Sequence, residues 1–466
     1  MQPAASIFKA YDIRGIVGET LTEPVVESIG LALGMMMAQA GKSSCVVGRD
    51  GRHSGPALVD ALAKGLMASG IDVIDIGQVP TPVVYFGTVS TGCGCGVAVT
   101  GSHNPPQYNG LKMMVAGVTL WGEEIQRIRQ RIVSGQARQF ADAIAAHQRG
   151  RRISSAATVQ EYLNAIVADV QLSRKMSIAV DAGNGVAGGI GPGLLERLGC
   201  RVHPLFCEVD GSFPNHHPDP AHVENLQDLI RCVQSTDAEL GLAFDGDGDR
   251  LGLVTKSGKI IWPDRQLMLY AADVLAARPG GEIIFDVKCT RHLAPWIRQH
   301  GGKPLMWKTG HSLIKAKLKE TAAPLAGEMS GHTFFNDRWY GFDDALYTAA
   351  RLLEIVSRSE NPSAVLEALP ESPSTPELQL ATAEGENFTV IERLRAEGQF
   401  PSAQERITID GLRVEYADGF GLARPSNTTP VIVMRFEADS DLALARIQAE
   451  FRDNLSRLMP TARLLF

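Results

Sequence analysis

Nothing in this chain reads as a membrane span, because no apolar run approaches the ~20 residues needed to cross a bilayer. The seven cysteines (Cys45, Cys93, Cys95, Cys200, Cys207, Cys232 and Cys289) are scattered and odd in number. They do not suggest the disulfide framework of a small secreted domain. Cys93 and Cys95 lie two apart with no second Cys or His pair beside them, so they read as strand or loop residues rather than zinc ligands. Positive charge is not in excess either: 45 Lys and Arg against 52 Asp and Glu give a formal net charge of −7. That balance argues against nonspecific nucleic-acid partners and against an anionic membrane surface. It leaves room for a small anionic substrate, which a local cluster of Arg, Lys and His can hold. Residues Met1–Gly15 carry no apolar secretory core, so a cytoplasmic location is the expectation.

What is present is a globular composition, 44% hydrophobic and 21% charged, spread over 466 residues. That is too long for one ordinary core. Helical patterns at Glu23–Ala40 and Ala57–Ser69 alternate with Val- and Ile-rich runs at Ser44–Val47, Val73–Ile76 and Gly96–Val99, which read as buried strands. The first helix repeats Val25, Val26, Ile29, Leu33, Met36 and Met37 near helical spacing, and Gly41 follows as its terminator. The alternation restarts with strands at Ser177–Val180, Val202–Phe206 and Leu240–Phe244. It restarts again at Glu282–Val287, Pro304–Trp307 and Pro324–Ala326. The expected fold is therefore α/β, with three consecutive α/β (mixed-sheet) domains. Past the Pro- and Ser-rich breaker Pro370–Pro376, strands at Ile407–Ile409, Arg413–Tyr416 and Pro430–Phe436 precede a helix over Leu442–Leu458. The turn Asp410-Gly411 separates the first two strands, and a smaller C-terminal α+β domain fits this order. The expected boundaries are 1–150, 151–256, 257–369 and 370–466.

Chemistry gathers at four places. Asp245-Gly246-Asp247-Gly248-Asp249-Arg250 directly follows the apolar strand Gly241–Phe244. Carboxylates at alternate positions can turn toward one point, with glycines letting the backbone fold around it. Hard oxygen donors in a small cage suit Mg²⁺. An EF-hand would need Gly and Glu where Arg250 and Lys256 stand. Arg250 is placed to contact the same phosphate oxygens as the ion. Thr100-Gly101-Ser102-His103-Asn104-Pro105 ends the strand Gly96–Val99, where ligand-handling groups gather in parallel sheets. It is not a G-x-S-x-G elbow, since Thr100 takes the first glycine position. Gly327-Glu328-Met329-Ser330-Gly331-His332 offers a carboxylate, a hydroxyl and an imidazole, a set suited to recognising hydroxyls that an ordinary polar turn could also present. Arg424-Pro425-Ser426-Asn427-Thr428-Thr429-Pro430 offers a guanidinium, hydroxyls and amides for a phosphate dianion. A fifth pattern, Gly183–Gly188, spells G-x-G-x-x-G after a strand, but alone it is weak ground for a dinucleotide site.

In order and spacing, the four loops resemble the signature loops of the α-D-phosphohexomutases, from the opening Tyr11-Asp12-Ile13-Arg14-Gly15 to the C-terminal phosphate loop. The Glu-Met-Ser-Gly-His form of the sugar loop is similar to that of bacterial phosphomannomutase/phosphoglucomutases. Gly183–Gly188 also has a counterpart in their second domain. The resemblance implies four domains around a central cleft. It implies Ser102 as the phosphoserine beside His103, and Asp245, Asp247 and Asp249 as Mg²⁺ ligands with a Ser102 phosphate oxygen completing the shell. Glu328 and Ser330 would grip sugar hydroxyls, and Arg424, Ser426, Asn427 and Thr428 the phosphate that is not reacting. Tyr11, Arg14, Lys112, Lys288, His311 and His332 match positions lining the family's cleft, Tyr11 also admitting a mainly structural reading. Lys112 or His332 would assist proton movement and Arg250 offset phosphoryl charge.

The implied reaction interconverts hexose 1- and 6-phosphates through a bound 1,6-bisphosphate, with glucose 1,6-bisphosphate as activator. Its partners are small-molecule hexose phosphates, and a monomer is the expected state. A phosphoglucosamine mutase is the near alternative, and Met329 leans away from it. A metal-dependent phosphatase would have no use for the sugar and phosphate loops. A noncatalytic sugar-phosphate binder would be expected to have lost Ser102 or one of the aspartates.

Overall fold

The expected apolar runs overlap strands of the computed structural model, several with ends displaced by a residue or two, and the structure describes residues 2–460, 462, 464 and 466. In the first domain β1 (Ile13–Ile16), β2 (Ser44–Arg49), β3 (Asp72–Gln78), β4 (Gly96–Val99), β5 (Tyr108–Val115), β6 (Val118–Thr119) and β7 (Arg152–Ser154) form one sheet. Its order is β1-β5-β4-β2-β3-β7, with β6 on β5. β2, β3, β4 and β7 run parallel, while β5 returns antiparallel to β4. The helices Glu23–Gln39 and Gly55–Ala68 cross at two glycines. A Cβ on Gly65 would sit 2.2 Å from the Glu27 carbonyl oxygen, and one on Gly30 2.5 Å from that of Leu62. Only glycine allows that approach.

The next two sheets share a plan. The second contains β8 (Ser177–Asp181), β9 (Arg201–Leu205), β10 (Leu240–Phe244) and β11 (Leu251–Thr255), in the order β11-β10-β8-β9. The third contains β12 (Glu282–Asp286), β13 (Lys303–Trp307), β14 (Leu325–Gly327) and β15 (Thr333–Phe335), in the order β13-β12-β14-β15. Each has three parallel strands and one antiparallel edge strand, β11 or β15. Thr100–Gln107, Asp245–Arg250 and Glu328–His332 therefore occupy one topological place, between a parallel strand's C-terminal end and its antiparallel return. One apolar cluster runs through all three domains, with Val84 and Phe86, Leu242 and Phe244, and Ile283 and Leu325 in it.

The fourth domain is an antiparallel sheet of β16 (Leu378–Ala381), β17 (Glu405–Ile407), β18 (Leu412–Tyr416), β19 (Gly419–Pro425) and β20 (Val431–Ala438), ordered β16-β20-β19-β18-β17. The helices Glu386–Glu397 and Asp441–Leu458 cover it, and Val414, Phe436, Ile447 and Phe451 build a separate core. The strand expected at Ile407–Ile409 sits earlier, because the chain must bend to bring Asp410 against Arg424. Part of the Pro370–Pro376 segment is pinned to this domain, with the Ala438 amide donating to the Pro373 carbonyl at 3.0 Å. Among the described residues no helix is long and apolar enough to cross a membrane.

Candidate active site

Ser102 is held in a conformation few side chains adopt. Its φ is +48°, in the left-handed region, and it is buried. Two residues that no motif marks enforce this. The Asp50 carboxylate accepts from the Thr100 hydroxyl at 2.8 Å and the Gly101 amide at 3.0 Å. Arg52, paired with Asp50 at 3.1 Å, donates to the carbonyls of Ser102 (2.9 Å), Asn104 (2.6 Å), Pro105 (2.7 Å) and Tyr108 (3.0 Å). Arg14 adds bonds to the Gly101 carbonyl and, at 2.7 Å, to the Asn104 side chain. The Ser102 hydroxyl, so aimed, lies 3.3 Å from the Asp245 carboxylate. His103, next in sequence, turns Nδ1 to Asp219 at 2.7 Å.

The acidic loop presses on the serine loop: a Cβ on Gly246 would lie 2.4 Å from the Ser102 carbonyl oxygen. Asp245, Asp247 and Asp249 are fully buried, with one oxygen of each within 4.8 Å of the others. Burial and the neighbouring carboxylates push Asp245 well above the carboxylate range. Burial acts the same way on Asp247, but the Lys112 ammonium at 2.8 Å and the Thr81 hydroxyl at 2.6 Å outweigh it and hold it low. Burial disfavours the Lys112 charge, yet Asp247 and Asp249 hold that group well above the lysine range. Asp247 Oδ1 and Asp249 Oδ1 are buried without a hydrogen-bond partner. Two orphaned carboxylate oxygens facing a third aspartate, with an ammonium as the local counter-charge, fit a small divalent cation. Gly183–Gly188 packs behind this loop, the Val186 amide donating to the Gly246 carbonyl at 3.2 Å. Its glycines serve close packing, since a Cβ on Gly185 would lie 3.0 Å from the Gly246 Cα.

The sugar loop meets the acidic loop through Arg250, whose Nε donates to His332 Nε2 at 3.1 Å. His332 Nδ1 then faces Asp343 at 3.2 Å and Asp249 at 3.5 Å. Lys315 holds Asp343 at 2.9 Å. His311 stacks near His332, ring centres 5.4 Å apart, and burial with the nearby Lys315 keeps its pKa well below the usual histidine value. Glu328 accepts from the Gly310 amide at 2.6 Å, while its Oε2 is buried without a partner. Burial, with Asp286 adding to it and His332 opposing, pushes its carboxyl up to about 7. Ser330, beside it, is half-buried.

From the fourth domain Arg424 reaches inward, its Nε on Asp410 at 3.0 Å. Asp410 also accepts from the Thr309 amide at 2.9 Å, which ties the third domain to the fourth. The Ser426 hydroxyl lies 3.3 Å from that of Thr428, and Asn427 donates to the Tyr11 hydroxyl. Tyr11 donates in turn to the Thr309 carbonyl at 2.9 Å, so it joins three domains. Lys288 pairs with Glu377 at 2.8 Å. Sequence reasoning missed Asp50, Arg52, Asp219, Asp343, Lys315 and Asp410. For Asp50 and Arg52 a signal existed, since they follow directly on β2 at the end where β4 delivers Ser102.

A guanidinium, a cationic amine and a cation-ready acidic triad around one buried hydroxyl are what transfer of a phosphoryl group demands. Comparison with known proteins narrows that class. Residues 5–139, 160–258 and 262–372 match the phosphoglucomutase/phosphomannomutase alpha/beta/alpha domains I, II and III, and residues 377–454 the C-terminal domain. A phosphoglucomutase of Neisseria meningitidis serogroup A is 55% identical over 450 residues, 96% of each chain. A phosphomannomutase/phosphoglucomutase of Pseudomonas putida is 52% identical over 468 residues, 100% of this chain and 99% of that one. The crystal structure of a phosphoglucomutase/phosphomannomutase family protein from Burkholderia thailandensis superposes with a TM-score of 0.93 at 56% identity, covering 100% of both chains. The chain belongs to the phosphoglucomutase/phosphomannomutase family, a family of mutases.

Proposed function

We propose that this protein moves a phosphoryl group between C1 and C6 of a hexose, mannose or glucose, through a phosphoserine at Ser102. The observation that carries this reading is the Ser102 hydroxyl 3.3 Å from the Asp245 carboxylate, in a cleft that the sugar and phosphate loops also enter. Phospho-Ser102 gives its phosphoryl group to the free hydroxyl of a hexose 1-phosphate. The P–O bond to serine breaks as one to the sugar oxygen forms. The hydroxyl proton leaves toward His332, while Lys112, kept as the ammonium by Asp247 and Asp249, offsets the charge that develops beside it. Arg250 offsets charge on the transferring oxygens, and His103 stands beside the serine. Asp245, Asp247 and Asp249 would hold Mg²⁺, which when bound supplies further charge neutralisation.

Glu328 and Ser330 orient the sugar. Arg424, Ser426, Asn427 and Thr428 hold the phosphate that is not reacting, with Tyr11, Arg14, Lys288 and His311 lining the space between. The bisphosphate turns end for end and returns its other phosphate to Ser102, so one set of loops serves both orientations. Glucose 1,6-bisphosphate activates by phosphorylating a bare Ser102. One chain supplies every loop, so a monomer suffices.

The test is turnover of glucose 1-phosphate and mannose 1-phosphate with Mg²⁺ and a trace of glucose 1,6-bisphosphate, beside Ser102→Ala. Both 6-phosphates should form, and the variant should lose nearly all activity. Release of inorganic phosphate, or turnover of glucosamine phosphates alone, contradicts the reading.

A further inference from the structure

We propose that His103, His217 and Asp219 form a second metal site, separate from the aspartate triad, that takes a transition-metal ion such as Zn²⁺ or Co²⁺. One ligand atom from each lies within 4.8 Å of the other two, and the group shares no residue with Asp245, Asp247 and Asp249. Two imidazoles and one carboxylate make a donor set that zinc and its neighbours prefer and that magnesium does not.

The site is built rather than incidental. Asp219 stands between Pro218 and Pro220, which restrict the backbone on either side of it. Its Oδ1 is spent on the Ala221 amide at 3.1 Å, which leaves Oδ2 turned to His103 Nδ1 at 2.7 Å. The Asn225 side chain holds the Asp219 carbonyl at 2.9 Å. The same loop is fastened to the acidic loop, the Gly246 amide donating to the Pro218 carbonyl at 3.1 Å. His103 comes from the first domain and the other two residues from the second, so an ion would bridge them.

The charges around the site narrow the choice of ion. Arg250 and Arg14 face His103 and oppose a weakly held cation. Only an ion that forms strong bonds to imidazole nitrogen overcomes that repulsion, which again selects Zn²⁺ or Co²⁺ over Mg²⁺. His222, 3.8 Å from Asp219 and exposed, lies outside the ligand set.

A bound ion fixes His103 on Asp219 and leaves it unable to serve the cleft beside Ser102, so turnover should fall and excess Mg²⁺ should not restore it. That consequence rests on the function proposed above, whereas binding does not. The test titrates Co²⁺ into the full-length protein in saturating Mg²⁺ and follows the visible d–d spectrum. Wild type should bind one equivalent with the intense absorption of a low-coordinate, nitrogen-ligated ion, unchanged by more Mg²⁺. His217→Gln should lose that band while keeping Mg²⁺-supported turnover, and His222→Gln should keep both. A weak octahedral spectrum that Mg²⁺ displaces, or a band that survives in His217→Gln, overturns the proposal. The wild-type spectrum decides the matter even if a variant fails to fold.

Discussion

Arg52 shows how much of this site is held by residues outside the four motifs. Its guanidinium binds four carbonyls of the serine loop at once, which a lysine ammonium cannot do. Arg52→Lys keeps the charge beside Asp50 yet frees the loop, so Ser102 can leave its left-handed conformation. A reacting group misplaced by about 1 Å costs about 10²-fold in rate. Steady-state kinetics should therefore show kcat falling about 10²-fold with KM little changed, and a KM effect alone would point to a different role. Glu328 gives a prediction in pH. With its pKa raised from 4.5 to about 7, the folded protein keeps a proton that the unfolded chain has released between those values. Stability falls as pH rises through that window, and Glu328→Gln should remove this part of the slope in melts taken on either side of it. The four motifs were legible because glycines and clustered polar groups interrupt apolar runs there. Asp50 and Arg52, in Arg49-Asp50-Gly51-Arg52, look like an ordinary solvated turn, and only the neighbourhood of β2 and β4 buries them. Asp410 read as a turn residue beside Gly411, since its partners Thr309 and Arg424 are distant in sequence.

At the scale of elements, the three α/β sheets deliver their loops from the same place, so strand packing sets the site as much as the loops do. A close backbone contact behind the first sheet is the crossing of the helices Glu23–Gln39 and Gly55–Ala68. Gly65→Ala pushes them apart at a backbone contact that cannot yield. Overpacking of this kind costs about 1–3 kcal/mol, which thermal or urea unfolding should register, while a neutral result would mean that the helices can slide. Legibility at this scale followed periodicity. The helices Glu23–Gln39 and Asp441–Leu458 carry an amphipathic repeat and were expected within a residue or two. The return strands β5, β11 and β15 were not expected. β11 is buried throughout and β15 has three residues, so neither shows an alternating pattern. The helix Thr81–Ser90 is rich in β-branched and aromatic residues that favour strands, and burial on nearly every side overrides that preference.

Across the whole molecule, the first three domains share one apolar cluster while the fourth keeps its own core. Polar bonds carry much of the join. Arg435 reaches Asp264 at 2.9 Å, Arg413 reaches the Val287 and Cys289 carbonyls at 2.7 Å, and Glu437 accepts from the Thr290 hydroxyl at 2.7 Å. Before Pro373 the chain is held to the third domain instead, with Ser372 Oγ 2.6 Å from His292 Nε2 and Glu371 paired with Lys259, and we propose that the fourth domain swings about Ser372–Pro373 to bring Arg424 toward the cleft and withdraw it. Such an arrangement suits an intermediate that must be kept and turned before release. The central claim is that the phosphoryl group passes through Ser102, and a label chase tests it most directly. Protein carrying ³²P-phosphate is mixed with unlabelled glucose 1-phosphate in Mg²⁺, and peptide and sugar products are followed together. The account predicts label on the Ser102 peptide at the start, then in glucose 1,6-bisphosphate and glucose 6-phosphate, with Ser102→Ala never labelled. Label released as inorganic phosphate, or turnover with none leaving the protein, would contradict it.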